Sequence, residues 1–480
     1  MSAPPAPAAA QTPSSPTPRP PGLWHLAWPI FAEQTLHAGT GVVDTLMVSR
    51  IGDQAVAGLG VAWQIVFLFM MAFNVLAVGA AIVTTHHLGQ GDTAGARRLA
   101  RGAISLNLWL GAVLSAVLVA SAPQLLAWAQ LSPALMAYGL PFMQWMGGTL
   151  FLEAMNYALA AVLRAHGRTR EVLLVMLAQN LLNAALTAVL VFGLFGVPDL
   201  GVTGVALATV CSRALACSAL WTLAVRRLGL RWHPRDLLAL PLADLRRLLA
   251  YGAPAVAENV SWLVAFMLIS ALSARLGDQT LATQTYAMQV ANVVMLFGLA
   301  VGLANEILVG HLVGAGQLRQ ARAMSLRHLR LGLVWTLGVA LLAALAAPAL
   351  LPLFSRDPVV VQAAVGLVWV GLLLEPGRSF NLILINALRA SGDTRFPLWA
   401  GLCSQWGVMA LGAWWLGTVL GFGLAGVWAA FVVDEWLRGL LMLWRWRGRR
   451  WWRHARRAGQ QARRARGPSA GAPRPAQATG

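Results

Sequence analysis

LWHLAWPIFAEQTLHAGTGVVDTLMVSR, Leu23 to Arg50, carries Glu33, His37 and Asp44 within a mainly apolar run. The run is long enough to cross a bilayer, for which about 20 residues suffice. At about 100° per residue, Glu33 and Asp44 project within roughly 20° of one another, and His37 and Thr40 fall on the same stripe. The stretch therefore reads as a membrane helix with one polar face that ends in a carboxylate. An acid in hydrocarbon is costly and marks an ion or substrate path. The alternative is a helix-end carboxylate that reaches the headgroups, and the apolar residues between Asp44 and Arg50 count against it. Pro29, Gly39 and Gly41 give this helix places to bend.

The rest of the chain has the same character. Of 480 residues, 58% are hydrophobic and only 11% charged, with a mean hydropathy of +0.64. A soluble chain carries about 25% charge, so this is a polytopic membrane protein. Cys211, Cys217 and Cys403 lie in apolar segments without a CxxC pair, which implies neither a disulfide framework nor a thiolate metal site. The net charge of +19 is carried by arginine without a single lysine, a composition that suggests a GC-rich bacterial genome. Of the 36 arginines, thirty fall on the side of the termini and alternate loops. Three (Arg50, Arg275, Arg356) fall opposite, and three (Arg213, Arg378, Arg438) lie within expected helices. The positive-inside rule then places both termini in the cytoplasm of a multi-pass protein of the bacterial inner membrane.

An internal repeat runs at one offset of 225 residues. Pro29, Ala32 and Glu33 match Pro254, Ala257 and Glu258; Gly52-Asp53-Gln54 matches Gly277-Asp278-Gln279; His86, Gly89 and Gly91 match His311, Gly314 and Gly316. Arg164, Gly167, Thr169 and Arg170 match Arg389, Gly392, Thr394 and Arg395. Chance similarity between helices gives scattered apolar matches, not matched Pro, Gly, Glu and Arg in loops. The fold expected is all-α, with twelve transmembrane helices in two six-helix lobes related by this repeat. Halves of the same orientation are related by an axis along the membrane normal, and such transporters bind substrate between them.

The expected organisation is a disordered cytoplasmic leader (1–22), an N-terminal lobe (23–225), a cytoplasmic linker (226–252), a C-terminal lobe (253–446) and a basic cytoplasmic tail (447–480). Six arginines mark the linker, and its amphipathic piece LADLRRLLAYG is expected to lie along the membrane surface. Ten arginines interleaved with Trp444, Trp446, Trp451 and Trp452 begin the tail, which reads as an interfacial anchor on anionic lipid rather than a nucleic-acid site.

With these pieces in place, VDTLMVSRIGDQAVAGLG (Val43 to Gly60), the GQGDTAGARR loop, LRAHGRTR and LRASGDTR together resemble the MATE family of multidrug and toxic-compound extrusion transporters. The resemblance implies export of amphipathic or cationic compounds against an inward proton or sodium gradient. No cofactor beyond H+ or Na+ is expected, and the expected partners are small-molecule substrates and membrane lipids, with the chain acting as a monomer. Under the resemblance Asp44 matches the coupling-ion carboxylate, with Asn183, Thr187 and Thr209 supplying neutral oxygens. Thr187 stands where the family pattern N-x-x-x-D has its Asp, which favours protons over a bare cation. Sodium at Asp44 is the one metal the resemblance leaves open. Protonation of Asp44 is expected to bend the first helix near Pro29 or Gly39. Glu258 resembles the family's acidic residue on the seventh helix, and Arg378 stands where many bacterial members carry an Asp.

Further candidates for substrate binding or gating are Glu33, Gln34, His37, Glu153, Asn156, Glu375 and Asn381. Glu153 and Arg378 are repeat equivalents, followed by Asn156 and Asn381 at the same spacing. They either face each other across the lobes as a gate or pair locally, Arg378 with Glu375 at i,i+3. Asp434 and Glu435 are expected to meet Arg438 locally. A flippase for a lipid-linked precursor is the alternative function. An enzyme is not expected, because no HExxH, GxSxG or clustered metal pattern occurs.

Overall fold

The computed structural model describes residues 22–196, 198–231 and 242–464, the side chains of 40–45 and 462–464 excepted. The expected leader thus falls almost wholly outside the described residues, as does the end of the tail. The first half comprises α1 (Leu23–Ser49), α2 (Asp53–Gly89), α3 (Thr93–Trp128), α4 (Pro133–Gly148), α5 (Leu150–Ala165), α6 (Thr169–Phe192) and α7 (Gly201–Leu228). Helices α4 and α5 form one rod bent by 50°. At the bend, Thr149 turns its hydroxyl back onto the Trp145 carbonyl at 2.9 Å. The second half comprises α8 (Leu242–Arg275), α9 (Asp278–Gly314), α10 (Leu318–Leu350) and α11 (Pro358–Ala390). It continues with α12 (Arg395–Ser404), a π-helical turn over Gln405–Ala410 and α13 (Leu411–Trp414), and then α14 (Gly423–Arg447) and α15 (Arg450–Arg464). Among the described residues, counting α4–α5 and α12–α13 as single rods, twelve rods precede α15. Eight of the described helices are long and apolar enough to span a membrane, and the bent pair makes a ninth; α1, α12–α13 and α14 complete the set.

The repeat governs the turns. Gly91 and Gly316 take φ of 70° and 78°, and Gly167 and Gly392 take 77° and 86°. These left-handed positions favour glycine, so each half needs the same residue at the same turn.

Helices α3 and α10 begin at Thr93 and Leu318, ahead of their apolar runs. Their first turns carry Arg97, Arg98 and Arg101, or Arg319, Arg322 and Arg327; the helix outruns its apolar part, which is all that hydropathy reports. The piece LADLRRLLAYG is not a separate segment. It forms the first turns of α8, with Leu248 and Tyr251 buried against Leu76, Ala80 and Val83 of α2. The tail is not simply a lipid anchor either. Trp446 and Trp451 are wholly buried and stacked, ring centroids 4.1 Å apart. Thus α15 lies on protein along its Trp451, Ala455 and Ala458 face, while Arg449, Arg450, Arg453, Arg456 and Arg457 are exposed.

The halves meet at their arginine-rich ends. Leu23, Leu26 and Ile30 of α1 pack into the second half beside Val301, Leu308 and Leu312 of α9, and α8 packs on α2. Gln90, between α2 and α3, donates to the Gly459 carbonyl of α15 at 2.9 Å.

Candidate functional site

At the arginine-rich base of each lobe lies an ion pair that the repeat duplicates. Glu33 on α1 accepts from Arg164, the penultimate residue of α5, at 2.7 Å. Glu258 on α8 accepts from Arg389, the penultimate residue of α11. Thr169 donates to the His25 carbonyl and Thr394 to that of Ala250, both at 3.3 Å. Every residue here is 225 from its counterpart, so the repeated LRAHGRTR and LRASGDTR motifs tie the end of a lobe's fourth rod to its first. Glu33 is therefore held inside its lobe, whereas His37 is exposed and Gln34 half-buried. The single polar stripe expected on α1 divides between two environments, because a 40° step at i,i+4 separates the lobe-facing side from its edge.

Farther along the N-terminal lobe, Asn183 of α6 donates to the Thr209 hydroxyl of α7 at 3.2 Å. Thr209 in turn donates to the Val205 carbonyl at 2.9 Å. Thr187, one turn beyond Asn183, is fully buried, and its hydroxyl has no hydrogen-bond partner among the described residues. The structure brings Asn183 and Thr209 together. Asp44 lies on α1, which packs along α6, but its side chain is outside the described residues. Among those residues no three His, Cys, Asp or Glu side chains are placed to hold a metal ion.

The interior charges pair within their own lobes. Glu153 of α5 meets Arg213 of α7 at 3.1 Å, and Asn156 donates to the Arg213 carbonyl at 3.3 Å. Arg378 meets Glu375 at 2.8 Å and Glu435 at 3.6 Å, and Asn381 donates to Glu435 at 3.1 Å. Arg438, the repeat equivalent of Arg213, lies 2.7 Å from Asp434, 3.0 Å from Glu435 and 3.8 Å from Glu258. Where the first lobe has Glu153 the second has Arg378, so its two arginines require other acids, and Glu375, Asp434 and Glu435 supply them. The C-terminal network sets four carboxylates (Glu258, Glu375, Asp434, Glu435) against three guanidiniums (Arg378, Arg389, Arg438). Ser404 donates to Asp434 at 2.5 Å. It stands directly before the π-helical turn, a local distortion frequent at functional sites. Ser261 of α8 donates to Gln405 of that turn at 2.7 Å.

The family model described as MatE matches residues 29–189 and 254–433. The chain belongs to the MATE transporter family. It is 36% identical over 433 residues to the uncharacterized transporter YisQ of Bacillus subtilis, covering 89% of this chain and 94% of that one. It is 30% identical over 420 residues to the probable multidrug resistance protein NorM of Pseudomonas putida, with coverages of 85% and 89%. Its fold superposes with a TM-score of 0.80, at 18% identity and over 92% of this chain and 96% of the other, on an outward-facing multidrug resistance MATE family transporter of the MOP superfamily. A MOP superfamily transporter from Pyrococcus furiosus with a binding pocket of reverse polarity superposes at 0.79, at 18% identity, with the same coverages.

In this MATE transporter Glu153 and Arg378 take the local alternative rather than a cross-lobe gate. Each finds a partner nearer by, Arg378 one turn away on its own helix and Glu153 on α7. The charge exchange E153R/R378E is accordingly expected to rescue nothing. Each single change breaks a buried pair, worth about 3 kcal/mol, and the double is expected to lose about the sum, as independent sites do. Thermal unfolding in detergent measures this; a double variant steadier than either single would restore the cross-lobe pair. The expected local meeting of Arg438 with Asp434 and Glu435 is found, whereas the sequence reading left unassigned the partners Arg164 and Arg389. The signal was present, since Glu33, Arg164 and Arg213 all recur at the offset of 225. Glu306, buried on α9, was legible only as an acid in an apolar run and was passed over.

Proposed function

We propose that this MATE transporter exports amphipathic or cationic small molecules across the bacterial inner membrane in exchange for protons. It works as a monomer, by alternating access between its lobes, with both termini in the cytoplasm. The observation that carries the coupling is the charge balance of the C-terminal network, four carboxylates against three guanidiniums. Sealed from water, that set favours one added positive charge. Arg378 and Arg438 already pair with these acids, and we assign the added charge to a proton rather than a metal ion. In the N-terminal lobe Asp44 takes the same part, with Asn183, Thr187 and Thr209 as neutral neighbours. Relatives named as probable multidrug resistance proteins support the substrate class.

The test is uptake of a fluorescent lipophilic cation into proteoliposomes under a pH gradient or a sodium gradient, for wild type and Asp44→Asn. Movement driven by the pH gradient alone, and reduced in the variant to the protein-free level, is expected. Sodium-driven movement would refute proton coupling. No movement under either gradient would refute the substrate class.

A further inference from the structure

His86, near the end of α2, has its Nε2 2.7 Å from the carbonyl oxygen of Ala390, the last residue of α11. His311, near the end of α9, has its Nε2 2.9 Å from the carbonyl oxygen of Ala165, the last residue of α5. A carbonyl oxygen only accepts, so each Nε2 carries a proton and donates it. Both bonds cross from one lobe to the other, and both partners are 225 from their counterparts. Each histidine caps a terminal carbonyl that its own helix leaves without a backbone donor. We propose that His86 and His311 form a duplicated latch that holds the arginine-rich ends of the two lobes together and sets the alternating-access equilibrium.

Three further features assign the pair this role rather than ordinary packing. The crossing is built for close approach: a Cβ on Gly89 would collide with the His311 carbonyl, and one on Gly314 with the His86 carbonyl. The latched carbonyls directly follow Arg164 and Arg389, which are pinned to Glu33 and Glu258. A movement of α1 or α8 therefore pulls on the residue that the opposite lobe's histidine holds. Finally, His86 is fully buried edge-on to Tyr251 of α8, ring centroids 5.9 Å apart. The His86 bond is thus interior to the seam, and His311 is half-buried at its edge.

The inference rests on the alternating-access part of the proposed function and on neither its ion nor its substrate. It is tested without a transport assay, so the two readings fail separately. Cysteines at the exposed positions Ala94 and Ala323, in a chain with Cys211, Cys217 and Cys403 replaced, carry spin labels on α3 and α10. Pulsed dipolar spectroscopy of the full chain in nanodiscs then reports the separation of the two lobes. Wild type is expected to show mainly the short distance. H86A/H311A is expected to raise the ratio of long to short about tenfold, as the loss of two hydrogen bonds allows. Each single change has a smaller effect, and H86Q/H311Q, whose amides still donate, stays near wild type. Gly314→Ala, which leaves both histidines in place, is expected to part the seam in the same direction and serves if the double alanine variant does not fold. A wild-type distribution in H86A/H311A overturns the latch, as does an equal shift in the glutamine pair. If the double alanine variant does not fold, a wild-type distribution in Gly314→Ala overturns it too.

Discussion

Arg438→Met is expected to cost this transporter about 3–5 kcal/mol of stability, the scale for stranding a buried charge. The guanidinium is 3% exposed and lies 2.7 Å from Asp434, 3.0 Å from Glu435 and 3.8 Å from Glu258. Removing it leaves Arg378 and Arg389 to face four carboxylates alone. The repeat supplies an internal control. Arg213→Met, at the equivalent position, strands only Glu153, a single carboxylate that is 13% exposed at its side chain. The expected order is therefore Arg438→Met well above Arg213→Met in lost thermal stability, read as the fraction of monodisperse protein surviving heating in detergent. Equal losses would mean that the C-terminal acids do not act as one network.

Trp451→Ala is expected to release α15. Truncating a large buried aromatic costs about 3–5 kcal/mol, and this ring is wholly buried and stacked at 4.1 Å on Trp446. The rest of α15 holds less: Trp452 is only half-buried against the same cluster, Ala455 and Ala458 are buried but small, and the outward face is arginine. Those arginines make the readout. Trypsin is expected to spare the helix in wild type and to cut it at least 100-fold faster in the variant, since each 1.4 kcal/mol is a factor of about ten in the open population. Because Gln90 of the first lobe donates to Gly459 of α15, release also removes a one-sided tie across the seam. An unchanged digestion pattern would place the stability of α15 elsewhere.

The two halves of the molecule were legible to different depths. Matched prolines, glycines and arginines at one offset announced the duplication, because turns that need a left-handed residue and loops on the charged side repeat with the fold. The bend at Thr149 and the π-helical turn after Ser404 were not legible, since both are local responses to packing by neighbouring rods. Neither leaves a mark in hydropathy. The tail misled for a similar reason. Trp and Arg in alternation describe a lipid interface and a protein interface equally well, and only the neighbours of Trp446 and Trp451 separate the two.

By itself the sequence determined that this chain is a duplicated bundle of membrane helices with one arginine-rich side. Those properties depend on period, composition and order, which survive without knowledge of neighbours. The tertiary structure alone decided the pairing of its buried charges. Glu153 chose Arg213 over Arg378, and Glu33 chose Arg164. The physical reason is range: an ion pair or hydrogen bond needs its atoms within about 3–4 Å, and which helices approach that closely is settled by how twelve rods pack together.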